Sequence, residues 1–165
     1  MSNQKIYYAG IGSRETPLEI KEKIKIIVEY LNSMDCVLRS GGAPGADEYF
    51  EEYAKHKEIY LPWRNFNGND SPLYKPSKES FEMTMKYHPN WYRLSVGARR
   101  LMARNCHQIL GEDLKTPVNF VICWTKDGGK TGGTGQAMRI ADDLNIPIYN
   151  LFFEDTLEKI LKISY

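Results

Sequence analysis

Thr125 to Gln136 reads Thr-Lys-Asp-Gly-Gly-Lys-Thr-Gly-Gly-Thr-Gly-Gln and holds five of the chain's 13 glycines. Glycines let the backbone turn tightly and leave N–H groups open, and the threonines add hydroxyls. Phosphate is the group such a loop suits, above all where the loop opens a helix and the helix N-terminus faces the anion. Asp127 is the only carboxylate in the loop. Two shorter stretches have the same character: Gly10-Ile11-Gly12-Ser13-Arg14, and Ser40-Gly41-Gly42-Ala43-Pro44-Gly45-Ala46-Asp47. Asp47 can hold a ribose hydroxyl or act as a base. It can equally be a charge favourable to the start of a helix.

Each stretch needs an element on either side to position it. Val118 to Trp124 is a short apolar run rich in β-formers, and Ala137 to Leu144 has apolar residues at helical spacing, so the long loop sits between strand and helix. Lys5 to Ala9 reads as a first strand. Thr16 reads as an N-cap with Pro17 at the first helical position, and Ile20, Ile24, Ile27, Val28 and Leu31 carry the helix to Ser33. Strands are expected at 36–39, 58–61, 117–124 and 146–151. Helices are expected at 46–55, 90–110 and 155–163, with a short one at 78–87. Strands alternating with helices predict an α/β fold: a single Rossmann-like three-layer domain with a mostly parallel sheet of five or more strands. An irregular insertion at about 64–89 interrupts the alternation. In such sheets ligands bind at the carboxyl ends of strands, where all three small-residue stretches fall.

The chain has 165 residues and a formal net charge of +1, which gives no global nucleic-acid signature and argues against nucleic acid as a partner. The cysteines (Cys36, Cys106, Cys123) match no metal spacing, and no metal is expected. Cys36 and Cys123 lie in apolar stretches and read as buried thiols in a reducing, cytoplasmic setting. The N-terminal stretch has no leader pattern, and no apolar run is long enough for a membrane span.

Familiar phosphate fingerprints do not fit. Gly10-Ile11-Gly12 lacks the third glycine of a dinucleotide motif, and a P-loop ending at Lys130-Thr131 would need glycine where Trp124 stands. The order strand–Gly-x-Gly-Ser-Arg, then Ser-Gly-Gly-Ala-x-Gly-Ala-Asp, then Gly-Gly-Thr-Gly instead resembles the SLOG superfamily. That Rossmann-like group includes the DNA-processing protein A core and the lonely-guy (LOG) phosphoribohydrolases. The resemblance covers Ile6 to about Leu151 apart from the insertion. It implies a nucleotide or nucleotide-derived ligand, with Gly41, Gly42, Ala43, Gly45 and Asp47 as one wall. Gly132, Gly133, Thr134 and Gly135 would cradle phosphate, and Gly12, Ser13 and Arg14 would lie near base or ribose. Lonely-guy enzymes carry Gly-Gly-x-Gly-Thr-x-x-Glu with a catalytic Glu. Here Gln136 stands for the Thr and Arg139 for the Glu, and arginine cannot accept a proton. Arg99-Arg100-Leu101-Met102 resembles an arginine-bearing helix of the same enzymes and implies a phosphate- or ribose-facing Arg99 or Arg100.

The expected ligand-binding set is therefore Gly10, Gly12, Ser13, Arg14, Gly41, Gly42, Ala43, Gly45, Asp47, Arg99, Arg100, Thr125, Gly132, Gly133, Thr134, Gly135 and Gln136. Asp47 and Asp127 are the candidate catalytic carboxylates. Arg100 and Arg104 lie four apart on one helix, where a guanidinium pair either clamps a phosphate or forms a solvated face or dimer salt bridge. Trp63, Phe66, Trp91, Tyr92 and Trp124 are either core and lid packing or surfaces for a base. His56, His88 and His107 show no metal or triad spacing, and Ser13 and Ser40 have no base nearby in sequence. The leading expectation is binding of a nucleotide-like small molecule by a sensor or sequestering protein. The alternatives are an N-glycosidic nucleotide hydrolase and a single-strand DNA binder. The family resemblance and the aromatic-rich insertion suggest a homodimer or higher homo-oligomer.

Overall fold

The structure is a computed structural model describing residues 4–165; residues 1–3, part of the stretch weighed above for a leader pattern, lie outside it. Five strands form one sheet: β1 (Tyr7–Gly12), β2 (Val37–Ser40), β3 (His56–Ile59), β4 (Phe120–Trp124) and β5 (Ile148–Asn150). Their order is β3-β2-β1-β4-β5, and every pairing is parallel. The helices are α1 (Leu18–Ser33), α2 (Ala46–Tyr53), α3 (Lys78–Tyr87), α4 (Val96–Leu110), α5 (Gly132–Asp143) and α6 (Thr156–Ile160).

Strand side chains alternate between faces, and the two faces bury different helices. Tyr8, Leu38, Phe120 and Ile122 pack with Ile24 and Ile27 of α1, Phe50 of α2 and Ile160 of α6. Ala9, Ile11, Val121 and Cys123 pack with Cys106 and Ile109 of α4 and Ala137 and Ile140 of α5. This gives the expected three layers, with α3 packed outside against α4 and α5. All three cysteines are free and buried. Among the described residues no helix is long and apolar enough to cross a membrane.

Four local expectations are corrected. β1 runs on to Gly12, so the turn begins at Ser13. Gly10 is a strand residue whose missing side chain admits α2, since a Cβ there would lie 2.5 Å from Phe50 Cγ. Pro17, not Thr16, stands at the N-cap of α1; the Thr16 hydroxyl donates to Ser13 O at 2.6 Å and closes the turn instead. The helix expected over 90–110 is two pieces, a 3-10 turn (Trp91–Arg93) and α4, whose start is capped by Ser95 Oγ accepting from Ala98 N–H at 3.1 Å. The 64–89 segment is more regular than expected. It holds a 3-10 turn (Phe66–Gly68) and α3, and Leu73 bridges Tyr60 in parallel beside the end of β3.

Candidate functional site

The strand order reverses between β1 and β4. From β1 the chain steps outward to β2 and β3, then returns to the other side of β1 for β4 and β5. The helices that follow β1 and β4 diverge to opposite faces and leave a crevice at the carboxyl ends. A cavity of about 420 Å³ lies there. Gly12, Ser13, Arg14, Ala43, Asp47, Thr125, Gly132, Gly133 and Thr134, all picked out from the sequence, line it. Thr125 is held by its neighbour across the sheet: Asn150 Nδ2 donates to Thr125 Oγ1 at 2.6 Å.

One wall is the start of α5. Thr131 is its N-cap and makes no side-chain cap bond. Gly132 has φ +62°, a left-handed backbone that an L side chain resists. Gly135 N–H closes the first turn onto Thr131 O at 2.9 Å. The N–H groups before it have no intrahelical partner, and the helix dipole adds positive potential there. Asn105 Nδ2 donates to Gly133 O at 3.0 Å and ties this turn to α4.

Opposite stands α4. Leu101 and Met102 give the cavity apolar surface, and Arg104, Asn105 and Gln108 give it polar atoms. Residues 101, 104, 105 and 108 share one helix face. Arg104 is 5% exposed. Its Nη1 donates to Gly41 O and, at 3.2 Å, to Tyr60 O, and its Nε donates to Asn105 Oδ1 at 2.9 Å. Asp47 is buried as well, and its Oδ2 accepts from Ala43 N–H at 3.2 Å. Burial pushes the Asp47 carboxyl up to about 6, held back by the Arg104 charge and by the hydrogen bond from Ala43 N–H. Burial likewise lowers Arg104 to about 10 against the attraction of Asp47. Gln108 is 2% exposed. Among the described residues neither its carboxamide nor Arg104 Nη2 has a hydrogen-bond partner.

The other expected residues lie off the cavity wall, for different reasons. Gly10 sits in β1 against Phe50. Gly41 supports the polar floor, since a Cβ there would meet Gln108 Nε2 at 2.2 Å. Gly42 packs beneath Leu61, and Gly45 is the N-cap of α2, crowded by Ser13 O. Gly135 abuts the backbone of Lys130. Gln136 is fully buried and clips α5 to its neighbours, its Nε2 donating to Met102 O at 3.1 Å and Thr84 Oγ1 at 3.4 Å. The Arg99 guanidinium lies 4.7 Å over the Trp91 ring, and Arg100 is exposed away from the lining. Arg104, one turn on, is the arginine that reaches the cavity. Asp127 is exposed at φ +60° in a 3-10 turn, while its neighbour Lys126 lines the mouth. Glu15, Lys126, Gln108 and the apolar pair Leu101 and Met102 were not singled out as ligand contacts.

His107 is buried and structural. Its Nε2 accepts from Ser77 N–H at 3.1 Å while Nδ1 faces Gly111 O at 3.0 Å, which fixes a neutral ring protonated on Nδ1. Phe66 and Trp91 are buried, whereas Trp63 and Tyr92 are exposed. Among the described residues no group of three or more His, Cys, Asp or Glu is placed to hold a metal.

No family model and no curated protein matches the chain. Among solved structures the chain is similar to DNA processing protein A from Helicobacter pylori, a protein described by its single-stranded DNA binding mode. Identity is 16%, the TM-score is 0.58, and the match covers 97% of this chain and 73% of that one. At that identity the likeness establishes a shared fold.

Proposed function

We propose that the cavity between β1 and β4 binds a nucleotide or nucleotide-derived small molecule, in a sensor or sequestering role. The observation that carries this is the open first turn of α5, Thr131 to Thr134, facing a cavity with both apolar and polar walls. Phosphate suits the free N–H groups, and a planar base suits Leu101, Met102 and Ile11. The resemblance of the glycine motifs to the SLOG superfamily supports the same reading. Arg139, which stands where lonely-guy enzymes carry glutamate, donates from Nε to Tyr87 O at 3.3 Å and is absent from the cavity lining. That favours binding over glycosidic cleavage. The test is the melting temperature of the pure protein with nucleoside phosphates, together with an assay for released base. Nucleotides should raise the melting temperature without base release. No shift with any nucleotide defeats the proposal, and steady base release abolished by Asp47→Ala defeats the non-enzymatic role.

A second reading is single-stranded DNA binding, favoured by the fold likeness, which counts against excluding nucleic acid on net charge alone. The supporting surface is exposed Trp63, Tyr92, Arg93 and Arg100 around the start of α4. Exposed aromatics among cations suit stacked bases. Oligonucleotide affinity that falls steeply with salt and drops in Tyr92→Ala supports this reading.

A further inference from the structure

We propose that the floor of the cavity selects ribonucleotides over 2′-deoxyribonucleotides, with Asp47, Gln108 and Arg104 reading the ribose hydroxyls. The proposal rests on the nucleotide reading above and assigns the sugar within it. A Cβ at residue 41 would lie 2.2 Å from Gln108 Nε2, 2.6 Å from Arg104 Nη1 and 2.8 Å from Asp47 Oδ2. Three polar side chains from two helices therefore converge above one glycine, each at most 5% exposed.

Their unused hydrogen-bonding capacity defines what they fit. The Gln108 carboxamide offers two donors and an acceptor, and Arg104 Nη2 offers donors. None of these is engaged among the described residues. The Asp47 carboxylate has acceptor capacity beyond the single bond from Ala43. A second phosphate or a carboxylate would gain from Arg104 but meet the charge of Asp47. A bare apolar group would leave all three polar ends dry and unpaired, which opposes its binding. A pair of neighbouring hydroxyls donates to the carboxylate and accepts from the amide and guanidinium together. In a nucleotide that pair is the 2′,3′-diol of ribose. Its phosphate end remains free for the α5 turn, and its base for the Leu101 and Met102 surface. Removing the 2′-hydroxyl takes one partner away from a floor too buried for bulk water to replace it fully. Sites built to bond a hydroxyl discriminate sharply against analogues that lack it.

The experiment compares ribonucleoside 5′-monophosphates of each common base with their 2′-deoxy counterparts by titration calorimetry on the full chain. The ribo form should bind about tenfold or more tightly than its 2′-deoxy partner. The gap should narrow in Gln108→Met and in Asp47→Asn, each checked for folding by circular dichroism. Should Gln108→Met not fold, Asp47→Asn carries the comparison. Equal affinity of ribo and deoxy forms in the wild type overturns the proposal and leaves the nucleotide reading intact. A gap unchanged in both variants also overturns it, because the discrimination then lies elsewhere. Absence of binding in both series defeats the nucleotide reading and this proposal together.

Discussion

The Asp47 carboxylate and the Arg104 guanidinium share the space directly above the α-carbon of Gly41. A Cβ there would stand 2.8 Å from one and 2.6 Å from the other, so both side chains fit only because residue 41 has none. Gly41→Ala should force the cluster apart and destabilise the chain by about 1–3 kcal/mol, the range for overpacked interiors. The check is a lower denaturant midpoint at unchanged slope. A midpoint equal to wild type would show that the floor relaxes freely.

Arg104 also holds the ends of two strands through Gly41 O and Tyr60 O. Arg104→Met keeps most of the volume but leaves Asp47 without its neighbouring charge. A loss of about 1–3 kcal/mol is expected in urea unfolding at neutral pH, because the Gly41 and Tyr60 carbonyls lose their buried donor. Arg104→Lys should recover only part of it, because an ammonium cannot reproduce the planar set of donors. Full recovery with lysine would mean that charge alone matters.

Two buried groups set opposite pH slopes. Asp47 ionises near 3.8 when exposed and about 6 when folded, so the folded chain holds the extra proton between those values. Stability from Asp47 is therefore full below about pH 4 and declines as pH rises through 6. Burial lowers His107 from 6.5, so its contribution is present above that value and is lost as pH falls through the folded pKa. Unfolding free energy measured from pH 4 to 8 should lose its falling limb in Asp47→Asn and its rising limb in His107→Gln. Unchanged profiles in both would remove these groups as the source.

Much of the fold was legible because apolar spacing determined it. The α3 span of 78–87 read from the sequence matches the structure, and the core stripe of α1 is the one its isoleucines spell out. The break before α4 was hidden because Trp91, Leu94 and Ala98 continue a helical period across it. Ser95, a residue type favoured at N-caps, was the available signal. The glycine turns of the candidate site could be read from composition. Its helical wall could not, because that depends on the rotation of α4 about its axis. Arg100 and Arg104 face nearly the same way one turn apart, and only where α4 meets the strand ends selects Arg104. Gln136 resembled a loop residue because nothing local shows that α3 and α4 close over it.

A carboxylate added to the first turn of α5 would occupy the proposed anion position. Thr134→Glu suits a helix N-terminus, so thermal stability without ligand should stay within about 0.5 kcal/mol of wild type. Affinity for nucleoside monophosphates should fall about tenfold or more through repulsion of like charges at the open N–H groups. Retained affinity would move the phosphate away from this turn.

The strand-like segment beside β3 has a bearing on how copies of this chain could assemble. Leu73 O accepts from Leu61 N–H at 2.7 Å, and the Ser71 hydroxyl donates to Ile59 O at 2.6 Å, so the carboxyl end of that sheet margin is already occupied. The remainder of β3 presents His56, Lys57 and Glu58, and the opposite margin, β5, is only three residues long. Short, charged or covered margins resist strand-to-strand joining. Joining of two copies margin to margin into one continuous ten-stranded sheet is therefore disfavoured.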